Sequence, residues 1–105
     1  MLPKDFERFM VDTNKMLNSA YPDMDKKDRI LGRTVKHTEE YGELCSEILA
    51  SLRLQRQSKL TKTNRKNLEK EWVDSLFTLV LLGLELEIPI QKAIESRMKV
   101  IAKRK

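Results

Sequence analysis

The stretch EWVDSLFTLVLLGLELE, at residues 71–87, decides the fold because it is the most apolar part of this chain of 105 residues. From Val73 onward, apolar side chains occupy almost the whole circumference of the helix that this stretch predicts. Such a helix lies in the centre of a bundle or at a subunit interface. Its most apolar run, residues 76–84, is too short to span a bilayer. We therefore expect a buried helix and no membrane segment.

Three further helices are predicted around this one. Pro22 ends the first, because a proline disfavours helix at the residue before it. Asp25 and Asn64 are the predicted caps of the second and third helices. Residues 58–63 form a polar connection between these two helices. Pro89 fits the start of the fourth helix. The predicted helices cover about residues 4–17, 26–56, 65–87 and 90–103. The sequence predicts one all-α domain, residues 1–105, built as a bundle of four helices.

The chain is basic, but its cations are unevenly distributed. The net charge is +5 and the pI about 9.4, with Lys and Arg concentrated at residues 53–70 and 99–105. We interpret both stretches as solvated surface and do not expect nucleic acid as a partner. One cysteine, Cys45, excludes an internal disulfide and indicates the reducing cytoplasm. The opening residues, 1–12, alternate apolar with charged residues and do not predict a signal peptide.

Two pairs of acidic residues border the apolar faces of the second and third helices. Glu40 and Glu43 are three residues apart, as are Glu71 and Asp74, so each pair points to one side of its helix. Because apolar stripes adjoin both pairs, we expect them at the boundary of the core. Like charges held together there repel each other and raise each other's pKa unless a cation lies between them. Two facing pairs would form an all-oxygen cation site.

An all-oxygen ligand set favours a hard cation such as Mg²⁺, and Mn²⁺ can take its place. The alternative is that each pair belongs to a solvated helix face, which is common. Asp74 argues against this, because aspartate is a poor helix former and here adjoins apolar residues. A di-iron bundle needs Glu-x-x-His pairs on two helices, and His37 is the only histidine. The sequence also has no Gly-rich phosphate loop.

The two acidic motifs, EEYGEL at residues 39–44 and EWVDSLF at residues 71–77, resemble the E-E-x-x-E and E-x-x-D motifs of MazG-like nucleotide pyrophosphohydrolases. That family belongs to the all-α NTP pyrophosphatase superfamily. The resemblance extends over residues 30–102 and includes the leucine-rich run and the segment LEIPIQKAI before the last helix. It implies a helical bundle that assembles into dimers or tetramers.

The resemblance also implies an activity, which is Mg²⁺-dependent hydrolysis of a (deoxy)nucleoside triphosphate to the monophosphate and pyrophosphate. Metal-activated water would attack the α-phosphate. Carried over position by position, the metal ligands and catalytic residues are Glu40, Glu43, Glu71 and Asp74. Glu39 points about 100° away from Glu40 around the helix, so we expect it to support the ligands from behind. The candidates for binding the phosphates are Lys36, Lys99 and Lys103.

A second function stays open, which is a non-enzymatic helical interaction or nucleotide-binding module that uses the basic end of the chain. Under either reading we expect at least a dimer. The third helix has more apolar circumference than three partner helices in so short a chain can cover.

Overall fold

The computed structural model describes residues 1–57 and 62–104, which form four α-helices and no strand. The helices are α1 (Phe6–Ala20), α2 (Lys26–Gln57), α3 (Lys62–Glu85) and α4 (Ile90–Lys103). The all-α prediction is confirmed. α3 begins earlier than predicted, so Asn64 lies inside the helix and is not its cap. Of the predicted connection, residues 58–61 lie outside the described residues. In the described part of the chain, none of the helices is long and apolar enough to cross a membrane.

The start of α2 follows the local sequence signal. The backbone N–H of Asp28 donates to Asp25 Oδ1 at 2.8 Å, which confirms Asp25 as the cap. Asp28 itself lies in the first turn, where the unpaired N–H groups of the helix favour a negative charge. The start of the long helix is therefore stabilised by two acidic residues that are three positions apart.

The end of α3 depends on a residue in the left-handed conformation. Glu87 has a φ of 58°, and its N–H donates to Leu84 O at 3.0 Å. The next N–H, that of Ile88, donates to Gly83 O at 3.0 Å. These two bonds satisfy carbonyls that the helix end would otherwise leave unpaired, as in a Schellman motif. α3 therefore ends at Glu85, two residues before the predicted position, and Pro89 immediately precedes α4.

Packing is concentrated between α2 and α3, which run along each other and bury Leu44 and Leu81. α1 covers part of α3. Its rings Phe6 and Phe9 contact Phe77 of α3, with centroid distances of 6.1 and 5.7 Å. A single chain therefore has a small core, with its largest contribution from the α2–α3 pair.

Much of the apolar surface is exposed in one copy of the chain. α4 has no buried residue, and Met98 on its apolar side is 63% exposed. On α3, Trp72 and Leu79 are 57% and 51% exposed. The expectation that α3 is buried almost all round is thus only partly met within one copy, because α1 and α2 cover only part of its circumference.

Glu85, at the end of α3, is the best-connected acid in the described part of the chain. It is only 5% exposed, and Arg29 Nε of α2 donates to its Oε1 at 2.5 Å. Its other oxygen accepts from the side-chain amides of Asn14 and Asn18 of α1, at 3.3 and 3.2 Å. Burial alone would raise the pKa of Glu85, but these hydrogen bonds outweigh it and the pKa is lowered from the ordinary 4.5. One carboxylate thus joins three helices.

Replacing Glu85 with Gln should lower the free energy of unfolding at neutral pH by about 3 kcal/mol, because Arg29 is left partly buried without its partner. Since the pKa of Glu85 is lower in the folded state, its contribution is fully present above pH 4.5 and is lost as the pH falls through the folded value. Urea unfolding between pH 3 and 7 should therefore show that acid lowers the free energy of unfolding of the wild type through Glu85, and the variant should lack this contribution.

The matched control is Glu87→Gln, which changes an acid two residues away. Glu87 pairs with Lys26 at 2.6 Å, but its side chain is 77% exposed, so this change should cost less than about 1 kcal/mol. Equal losses in the two variants would show that the buried network does not stabilise the fold.

Candidate metal centre

The pairing of α2 with α3 brings three carboxylates together. Glu40 and Glu43 of α2 and Glu71 of α3 each place one carboxylate oxygen within 4.8 Å of the other two. We call these three residues the carboxylate cluster. Glu40 is buried, Glu71 is half-buried and Glu43 is exposed, so the cluster opens to solvent on the Glu43 side. An ion can therefore reach the cluster from the Glu43 side, while Glu40 on the inner side is buried.

Each inner carboxylate of the cluster has one oxygen paired and one oxygen unpaired. Lys36 Nζ lies 3.3 Å from Glu40 Oε1, and Lys70 Nζ lies 3.5 Å from Glu71 Oε1. Glu40 Oε2 and Glu71 Oε2 are buried and have no hydrogen-bond partner. A buried acceptor without a donor is costly, and more so when it carries a charge. A cation placed among the three carboxylates would satisfy both unpaired oxygens.

The electrostatics of Glu43 are consistent with this. Repulsion from Glu40 raises its pKa, repulsion from Glu71 and partial desolvation add to the rise, and its protonated carboxyl can donate to Glu71. Lys36 opposes the effect only weakly. The lysines therefore leave an excess of negative charge inside the cluster.

The donor chemistry fits a hard divalent cation. The cluster offers only carboxylate oxygens, which Mg²⁺ and Mn²⁺ prefer, and contains neither histidine nor cysteine. The chain's only histidine, His37, is engaged elsewhere, with its Nδ1 2.9 Å from the Thr78 hydroxyl. The residues present are thus suited to Mg²⁺ and unsuited to a structural zinc ion.

The other predicted site residues stand in different relations to the cluster. Asp74 is not part of the group of three, and its carboxylate pairs at 3.0 Å with Lys70, the lysine that also lies near Glu71. Glu39 is exposed and pairs with Lys36 at 3.7 Å, behind Glu40. Their roles stay predictions, as do those of the three cluster residues as metal ligands.

The predicted phosphate-binding lysines are divided between two places. Lys36 adjoins the cluster, and its pKa is raised chiefly by the hydrogen bond to Glu40. Lys99 and Lys103 are exposed on α4, and within the described residues neither pairs with an acid of the cluster. In one copy of the chain, Lys36 is therefore the predicted lysine beside the carboxylates.

Sequence reasoning missed Lys70. It precedes Asp74 by four residues, which is the spacing at which Lys36 precedes Glu40. Residues four apart are neighbours on a helix surface, so this repeated spacing predicts that each acidic pair has a lysine on its own helix. That signal was available in the sequence.

Comparison with known proteins gives this chain no relative: no family model, no curated protein and no solved structure matches it. The interpretation of the cluster therefore depends on its own geometry and chemistry.

Replacing Glu43 with Gln should raise the melting temperature in metal-free buffer, because it removes repulsion from Glu40 and Glu71. In the wild type, Mg²⁺ in excess over its dissociation constant should raise the melting temperature by several degrees, since an ion that binds only the folded state stabilises it. The variant should lose this gain. Thermal unfolding in EDTA, in MgCl₂ and in NaCl of equal ionic strength measures both effects.

Glu47→Gln is the matched control, because Glu47 lies one turn further along α2 and outside the cluster. It should keep the stabilisation by Mg²⁺. A wild-type protein that MgCl₂ stabilises no more than NaCl does would contradict the metal centre.

Proposed function

We propose that this protein is a Mg²⁺-dependent pyrophosphohydrolase that converts a (deoxy)nucleoside triphosphate to the monophosphate and pyrophosphate. The observation that carries the proposal is the grouping of three carboxylates, two of which, Glu40 and Glu71, each have a buried oxygen without a hydrogen-bond partner. The resemblance of residues 39–44 and 71–77 to the motifs of MazG-like enzymes supports the same activity.

In this proposal Glu40, Glu43 and Glu71 hold the cation, and Asp74 joins them when it leaves Lys70. Bound Mg²⁺ supplies charge neutralisation of the phosphates and activation of a water molecule, and Mn²⁺ can replace it. In the reaction a water oxygen bonds to the α-phosphorus, and the bond from that phosphorus to the oxygen of the leaving pyrophosphate breaks.

The lysines have a separate task, which is to bind phosphate oxygens that the carboxylates would repel. Lys36 is suited to this because its ammonium lies at the edge of the cluster, 3.3 Å from Glu40, while its side chain is 60% exposed. Glu39 holds Lys36 from the other side. Lys99 and Lys103 are proposed to act at the cluster of another copy of the chain, since α4 carries them away from their own.

The assembly that we propose is a homodimer or homotetramer formed through α3 and α4. Exposed apolar side chains on these helices, such as Trp72 and Met98, offer the kind of surface that a second copy covers. The free thiol of Cys45 is in keeping with a cytoplasmic enzyme acting on the nucleotide pool.

A second candidate function is favoured by α4, which combines exposed apolar residues with exposed cations such as Lys99 and Lys103 and is followed by Arg104. A basic amphipathic helix of this kind can bind an acidic partner without catalysis. Its binding would weaken with added salt and with Lys103 and Arg104 replaced, and would survive the loss of Glu43.

The enzymatic proposal predicts pyrophosphate release from at least one member of a nucleoside triphosphate panel in the presence of Mg²⁺. Glu43→Gln and Asp74→Asn should each lower kcat/KM by about 100-fold or more, because ligands of the cation support several kcal/mol of transition-state stabilisation. Glu47→Gln should retain wild-type activity. Full activity in both Glu43→Gln and Asp74→Asn would contradict the assignment.

The assembly proposal predicts a dimer or tetramer in sedimentation at micromolar concentration. Met98→Glu should shift the distribution toward the monomer, because it places a charge on the apolar side of α4. Ser96→Glu, on the same exposed helix, is the control and should leave the distribution unchanged. A stable monomeric wild type would contradict the proposal.

A further inference from the structure

A cavity of about 380 Å³ lies beside α2, between the end of α1 and the C-terminal part of α3. This volume is in the range of small-molecule sites. Apolar side chains form most of its wall: Leu17 from α1, Tyr21 and Met24 from the α1–α2 connection, and Leu81 from α3. Leu81 is buried and forms the floor, whereas Tyr21 is 62% exposed at the rim. The lining suits a largely apolar group.

The α2 wall of this cavity carries three cations on successive turns, Arg29, Arg33 and Lys36. Arg29 already has an anionic partner, since it donates to Glu85 and also to Met24 O. Arg33 is different. Its Nη2 donates to the side-chain oxygens of Asn14 and Asn18, at 2.8 and 3.0 Å, so its direct partners are neutral.

Arg33 therefore keeps donors for a further acceptor. A guanidinium has five N–H groups, and the two asparagine oxygens take those of a single nitrogen. Burial lowers its pKa, an effect that Glu85 opposes and Arg29 reinforces. Because arginine stays protonated, this partly desolvated cation gains from an acceptor oxygen placed in the cavity.

The cavity adjoins the carboxylate cluster at Lys36. This residue lines the cavity, and its ammonium lies 3.3 Å from Glu40 Oε1. From Arg33 to Glu40 the axis of α2 rises by roughly 10 Å. That span matches a sugar with its phosphate chain, so one nucleotide can reach from the cavity to the cluster.

We propose that this cavity is the nucleoside subsite of the enzyme, and that Arg33 selects bases with a carbonyl oxygen at the position where cytosine and adenine carry an amino group. The proposal rests on the proposed function for the identity of the ligand. Arginine and lysine side chains offer only donors. Uracil, thymine and guanine present an acceptor there, whereas cytosine and adenine present a donor that would face another donor.

The first test measures binding without chemistry. In EDTA, chemical-shift titrations with uncharged deoxynucleosides should show deoxyuridine, thymidine or deoxyguanosine binding about ten-fold more tightly than deoxycytidine and deoxyadenosine. Equal affinities, or no binding of any nucleoside, would overturn the proposal. Because neither metal nor phosphate takes part, this result does not depend on hydrolysis.

The second test blocks the cavity without disturbing the fold. Gly32 lines the cavity, and a Cβ added there meets no atom within 4 Å. Gly32→Leu should therefore fold, with a gain in helix propensity, and occupy the cavity. It should weaken nucleoside binding and raise KM for the preferred triphosphate by about ten-fold or more. Gly42→Leu is the matched control, since Gly42 has equal free space on α2 but does not line the cavity.

The outcomes separate the two proposals. If Glu43→Gln abolishes hydrolysis but Gly32→Leu leaves the KM unchanged, the subsite is overturned while the enzymatic function stands. If the wild type binds a nucleoside, Gly32→Leu removes that binding, and the wild type hydrolyses no triphosphate, the subsite is supported and the enzymatic function is overturned. If Gly32→Leu loses its cooperative melting transition, Arg33→Gln is tested in its place. This variant should abolish the preference among bases. A preference retained in Arg33→Gln would overturn the selection by Arg33.

Discussion

The ion pair between Glu85 and Arg29 is the constraint on which the arrangement of the helices depends. Displacement of α3 along α2 by one turn, about 5.4 Å, would take the carboxylate out of reach of Arg29 and of both α1 asparagines. Buried polar contacts of this kind fix a register that apolar packing alone would leave loose. Glu71 precedes Glu85 by about four turns and lies on nearly the same side of α3, so the same pair also sets which part of α2 the carboxylate cluster faces.

Glu85 and the carboxylate cluster therefore contribute to stability in opposite directions. Glu85 is surrounded by donors, whereas Glu40, Glu43 and Glu71 repel one another and leave two buried oxygens without partners. A folded protein can maintain such repulsion only if interactions elsewhere offset it, and functional sites are where this imbalance is usually found. The Lys36 and Lys70 pairs reduce the repulsion but do not reach the inner oxygens.

Local signals in the sequence predicted the local features of the structure. The four helices followed from apolar periodicity and from proline positions, and the Asp25 cap from its place before a helix. The end of α3 was missed because its left-handed residue is Glu87, where the sequence has no glycine to indicate it.

Long-range relations were harder to predict. Nothing local to Glu85 indicated its partners on α1 and α2. The convergence of three acids could be anticipated from spacing, but the absence of Asp74 from that group could not. Nothing local likewise indicated that no residue of α4 would be buried in one chain. The short connection through Glu87 and Pro89 has a consequence of its own. Because α4 has no buried residue and is joined by so few residues, it can be exchanged between two copies of the chain by domain swapping.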